Sequence, residues 1–248
     1  MDTTATQKFL AEQKRVLFEE FTHGTHCVIA SNPEQLKTFV EWHDWQVENL
    51  PGSRNDNVLV IRRKHAPNNP QCWVKWSYRG YRSAFNRFLK LHYPQYQNIL
   101  SQQVHVDHMQ PRFRFLKGSE YYVRLSLIEK EVNTAFGAGF ERSFYEWERH
   151  RNLNPAIHMC WLTYCKVNSI IPPPKNSGEL QWKSWAQRHA MEFSKKSGEY
   201  GGLAYLGFLS VLRLGYTQYY AGAAEKIDMD EVFAEYESQK LRPEFNVA

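Results

Sequence analysis

Apolar residues recur along this chain at two periods, and the switches between periods mark out its elements. Residues 6–22 carry Phe9, Leu10, Val16, Leu17 and Phe18 on one broad face with charges between them, the spacing of an amphipathic helix. Cys27-Val28-Ile29-Ala30 is a short apolar run and predicts a buried strand. Ser31-Asn32-Pro33-Glu34 sets a capping side chain before a proline, so a second helix is predicted from there to about Val47. It would bury Leu36, Phe39, Val40 and Trp42 or Trp45. A loop follows, and Asn57 to Arg62 predicts a strand that completes a small N-terminal β-α-β unit. Ala66-Pro67-Asn68-Asn69-Pro70 breaks the chain, and Cys72 to Ser77 reads as a strand with Trp73 and Trp76 on opposite sides.

Helical spacing returns over residues 78–93, where Arg79, Arg82, Arg87 and Lys90 interleave with Tyr78, Tyr81, Phe85 and Phe88. Two β-prone runs follow, Val104-His105-Val106 and Tyr121 to Ile128. Ile157 to Val167 predicts a buried helix, and residues 171–178, IPPPKNSG, are the clearest linker. Helices are predicted over residues 179–197 and 203–224, and a closing amphipathic one over 228–240. Arg213, Thr217, Gln218 and several glycines interrupt the 203–224 run, which argues against a membrane span. The expected fold class is α+β, divided into 1–100 (a scaffold or recognition region), 101–170 (a core carrying the chemistry) and a helical 171–248.

Composition narrows the function classes. At 248 residues with 42% hydrophobic and 15% aromatic content, the chain has ample material for a packed core. A formal charge of +5 is compatible with a polyanionic partner. Cys27, Cys72, Cys160 and Cys165 have no framework spacing, so reduced thiols are expected. His158-Met159-Cys160 with Cys165 lacks the fourth ligand a zinc site needs. The first residues, MDTTATQKFLAEQKR, contain no apolar core of a signal peptide. The expected location is therefore cytoplasmic, or the cytoplasm of a target cell after delivery.

The densest chemistry lies in residues 104–148, VHVDHMQPRFRFLKGSEYYVRLSLIEKEVNTAFGAGFERSFYEWE. Asp107-His108 closes the first β-prone run, a basic loop with Arg112, Arg114 and Lys117 follows, and Asn133 and Glu141 come after the second run. Strand, loop, strand and helix in this order resemble the HNH, or ββα-metal (His-Me finger), endonuclease superfamily, here embedded in a larger, mostly helical framework. The resemblance covers about forty-five residues. It departs from the family in lacking a flanking CxxC pair and a clear final histidine, although His150 lies further along.

That resemblance implies a metal-dependent nuclease. Asp107 and Asn133 would hold one divalent ion, magnesium by preference, because hard cations take oxygen ligands. His108 would be the general base, since an imidazole titrates near neutrality. Glu141, eight residues after Asn133, would support the site. Arg112 and Arg114 in the loop, Arg124 on the second strand, and Arg79 and Arg82 on the basic helix are candidate phosphate contacts. The substrate would be nucleic acid, DNA before RNA. The resembled family also implies an antibacterial toxin restrained by an acidic immunity protein, with no membrane partner. The rival reading is a non-catalytic nucleic-acid-binding or protein-interaction module that keeps the finger as a scaffold.

Overall fold

The computed structural model describes residues 3–25, 27–30, 32–53, 55–64, 66–112, 115, 120–137, 140–143, 158–174, 177–199 and 201–216. Helices and a curled antiparallel sheet share these residues, an α+β architecture. In chain order they form α1 (Thr3–Thr22), β1 (Ile29–Ala30), α2 (Pro33–Trp42), β2 (Trp45–Asn49), β3 (Val58–Arg63), β4 (Ala66–Lys75), α3 (Tyr81–His92), β5 (Val104–His108), β6 (Tyr122–Glu129), α4 (Lys130–Phe136), α5 (Trp161–Val167), α6 (Glu179–Ser197) and α7 (Gly201–Tyr216). The strands run in the order β1-β6-β4-β3-β2, and β5 pairs with β6 off this path. β1 and β5 take successive stretches of β6, β1 at Tyr122 and Val123 and β5 from Leu125 to Glu129.

Strand alternation builds a core on each face of the sheet. Val58, Val60, Cys72, Val74, Leu125, Leu127, Val104 and Val106 pack with Phe9 and Leu10 of α1 and with Phe85, Phe88 and Leu89 of α3. Leu59, Ile61, Trp73 and Tyr122 face the other way, toward Leu36 and Phe39 of α2 and toward Trp45. Gln13 of α1 extends the ladder. Its amide donates to the Leu127 carbonyl and accepts from the Leu127 N–H, both at 2.8 Å, satisfying a backbone pair on β6 as a strand would.

Two elements depart from the expected bounds. α2 begins as anticipated, with Asn32 Oδ1 accepting from Gln35 N at 2.7 Å, but ends at Trp42 instead of near Val47. Asp44 turns left-handed (φ 54°), and residues 45–49 pair with β3 through five positions, from Trp45↔Arg63 to Asn49↔Leu59. Paired backbone along a sheet outweighs one more turn of helix. The stretch around Pro67 and Pro70, expected to break the chain, lies inside β4, where the register with β3 jumps between Ile61 and Arg63. Proline donates no hydrogen bond, and this bulge leaves the ladder no donor to miss.

The N-terminal β-α-β unit is not self-contained, because β6 and β4 lie between β1 and β3 in the sheet. Position 100 is likewise no boundary of the sheet, since β6 pairs with both β1 and β4. The chain divides instead into one unit of residues 1–135 with 152–171, and a second of residues 136–151 with 172–248. In the second, α6 and α7 pack through Trp185 and Phe208, and Trp182 stacks on Tyr216 at 5.3 Å. Gly198 caps α6 in the left-handed region (φ 71°). Among the described residues no helix is long and apolar enough to cross a membrane. The expected helix over 228–240 lies outside the described residues.

Candidate functional site

β5 and β6 pair antiparallel through five positions, from Val104↔Glu129 to His108↔Leu125, and α4 starts at the residue after β6. Strand, strand and helix therefore follow one another here, but α4 contains Asn133 and ends at Phe136, before Glu141. Pairing continues through His108, so alternation governs where each side chain goes. Val104, Val106 and His108 are buried toward the α3 side, while His105 and Asp107 share the opposite, partly open face.

His108 is only 6% exposed, with its ring 4.5 Å from that of Tyr81. Its buried Nε2 has no hydrogen-bond partner among the described residues. Burial pushes its pKa down to about 4. The Asp107 carboxylate opposes that shift, and the charges of Arg112 and Lys166 add to it. The ring is neutral at pH 7, as a base must be, but it is covered. Asp107 and His108 do not converge on one point, because neighbours on a paired strand face opposite ways.

On the open face, Asp107 Oδ2 accepts from Lys166 Nζ of α5 at 2.5 Å. The lysine side chain is 7% exposed and the aspartate 27%. Asn133, on α4, places Nδ2 3.0 Å from His105 Nδ1. As placed, the amide donates to Nδ1 and the ring proton sits on Nε2. Turned over, the amide oxygen would accept from Nδ1–H and leave Nε2 as the basic nitrogen. His105 precedes Asp107 by one same-face position, about 7 Å along a strand. Asn133 and Asp107 thus lie on one face of the hairpin but engage different partners.

The expected magnesium site can be tested against this geometry. A carboxylate and a carboxamide oxygen are suitable donors for a hard cation. The Asp107 carboxylate, however, already holds an ammonium at 2.5 Å, and Asn133 is turned toward an imidazole. No group of three or more His, Cys, Asp or Glu among the described residues is placed to hold an ion. As folded, the donor set does not fit a divalent cation.

The remaining candidates are dispersed. Glu141 belongs to the second unit, whereas His108, Asp107 and Asn133 belong to the first. Arg112, half-buried, donates to the Ser77 carbonyl at 3.5 Å. Arg79 and Arg82 are exposed at the start of α3, and Arg82 also donates to the Ser101 carbonyl at 3.3 Å. Arg114 lies outside the described residues. Arg124, expected to contact phosphate, is placed inside the protein. Its guanidinium is buried against the fully buried carboxylate of Glu20, which also accepts from Arg63 at 2.9 Å and Gln71 at 3.1 Å. An arginine enclosed by its own counter-ion has no reach to a phosphate.

Two residues of this face escape a reading based on neighbouring residues. His105 is legible from alternation in Val-His-Val-Asp-His, which sets it beside Asp107 and apart from His108. Lys166 has a subtler signal: a lysine inside an apolar helix expected to be buried requires a carboxylate. Comparison with known proteins finds no matching family model, no similar curated protein and no similar solved structure.

Proposed function

We propose that this chain hydrolyses phosphodiester bonds of nucleic acid on the open face of β5, β6 and α4. The observation supporting this reading is the gathering there of an imidazole (His105), a carboxylate (Asp107), a carboxamide (Asn133) and an ammonium (Lys166) on a strand-strand-helix unit. Hydrolysis of a phosphodiester needs a proton acceptor for water and positive charge near the phosphate. His105 is assigned the first task, with Asn133 orienting its ring. Lys166 supplies the charge. His108, the base implied by the resemblance, is assigned a packing role against Tyr81. DNA is the favoured substrate, and a role as an antibacterial toxin with an acidic inhibitor extends the same resemblance.

The test incubates plasmid DNA and total RNA with wild type, His105→Ala and His108→Ala, in magnesium and in chelator. Wild type is expected to cut, and His105→Ala to lose about 10²–10⁴-fold in rate. A folded His108→Ala protein with that loss, beside an active His105→Ala, would return the role to His108. The burial of His108 and the charge-neutral Asp107–Lys166 pair favour a second reading, the non-catalytic module. It wins if wild type retards nucleic acid in a gel and cuts neither substrate.

A further inference from the structure

We propose that Lys166 is the resident cation of this site: its ammonium takes the place at Asp107 that the resemblance gives to a divalent ion. The inference deepens the nuclease reading and rests on its choice of face.

The placement of Lys166 is built into the fold. Thr163 and Lys166 are one turn apart on α5 and so share a helix face. Thr163 Oγ1 donates to the Met109 carbonyl at 3.1 Å, and Lys166 reaches the Asp107 carboxylate, so two bonds clamp α5 onto the end of β5. Behind them, Tyr164 packs on Phe21 of α1 with ring centroids 4.6 Å apart, and Cys165 is fully buried. A lysine held from both sides does not swing away as a surface lysine does. Its nearly complete burial also gives it reason to stay, because an ammonium out of water without a counter-charge is strongly unfavourable.

A divalent ion at Asp107 would meet this charge at contact range. It would have to break the Lys166–Asp107 contact and leave a nearly buried ammonium beside the new charge. The lysine therefore does the electrostatic work at this carboxylate, fixing it in place and supplying the positive charge on this face. Phosphate handling here then requires no metal ion bound at Asp107.

Manganese alone, titrated without nucleic acid and followed by its electron paramagnetic resonance signal, tests the assignment. Wild type, Asp107→Asn, Lys166→Arg and Lys166→Met are compared, with folding of each checked by circular dichroism. Wild type, Lys166→Arg and Asp107→Asn should bind manganese alike. Lys166→Met should gain one site per chain at least tenfold tighter than any in wild type, lost again in the Asp107→Asn, Lys166→Met double variant. A wild-type site that Asp107→Asn abolishes would overturn the proposal, as would a folded Lys166→Met that binds no tighter than wild type. If Lys166→Met does not fold, the comparison of wild type with Asp107→Asn decides alone. Failure of every variant to cut nucleic acid would end the nuclease reading without touching the manganese result.

Discussion

His108 should make the stability of this chain depend on pH in a window that its burial defines. In the folded chain its pKa is about 4, against an ordinary value of 6.5. Between these values the unfolded chain binds more protons than the folded one, so stability rises with pH. The contribution of the neutral ring is complete above about pH 6.5 and is lost as pH falls toward 4. Across the whole window it amounts to about 3 kcal/mol, and roughly 2 kcal/mol has gone by pH 5. The ring is almost fully removed from water, so solvent screening hardly reduces this. His43, His92 and His189 are also held low by burial and slope the same way, so the assay must be a difference. Asp56, held low by its bond to Lys75, and Glu129, held low by its bonds to Lys14 and Ser169, lose their stabilising effect only below the ordinary carboxylate range. His108→Phe keeps a ring beside Tyr81 and removes the titration. Urea unfolding at several pH values from 7.5 to 5 should show wild type losing about 2 kcal/mol more than the variant. Parallel lines for the two proteins would mean that the folded chain leaves His108 hydrated. That result would refute the burial argument and make His108 an accessible base again.

Three further outcomes follow from other contacts. Glu20→Gln leaves the Arg124 and Arg63 guanidinium groups without their shared carboxylate and should cost about 3–5 kcal/mol in urea unfolding; a loss below 1 kcal/mol would mean the cluster is hydrated. Gln13→Leu strips partners from both backbone groups of Leu127 and should cost about 2–4 kcal/mol, with faster amide exchange at Leu127; unchanged exchange would show that water takes the place of Gln13. Gly215→Ala would drive a methyl group into the Phe140 ring and should cost about 1–3 kcal/mol, read as a lower melting temperature, whereas an unchanged one would mean the ring moves aside freely.

Local signals made most elements legible. The helix at 179–197 follows from its apolar spacing, and β6 from an unbroken β-prone run. What sequence hid was the competition between elements. Val47 belongs to an amphipathic pattern and would continue α2, yet Ile61 of β3 waits opposite it. Pro67 and Pro70 read as a stop because a bulge that accommodates them depends on the register of another strand. Arg124 looked like one more basic residue near the proposed chemistry. Its partner, Glu20, lies 104 residues away on α1, where it reads as one more solvated charge.

The candidate site turns on the same distinction between nearness in sequence and nearness in space. Asp107 and His108 are adjacent residues of complementary chemistry, but a paired strand sends neighbours to opposite faces. That rule separates Asp107 from His108 and joins it to His105, two positions back. The third dimension then brings in Lys166 from a helix 59 residues further on. A carboxylate has one strongest cation. Where a buried lysine is clamped onto it by the fold, a metal must do more than find oxygen donors; it must also break the ion pair already there. Motif order alone therefore cannot decide what sits at Asp107. Competition between Lys166 and a divalent ion decides it, and in the folded arrangement Lys166 holds the advantage of being covalently delivered.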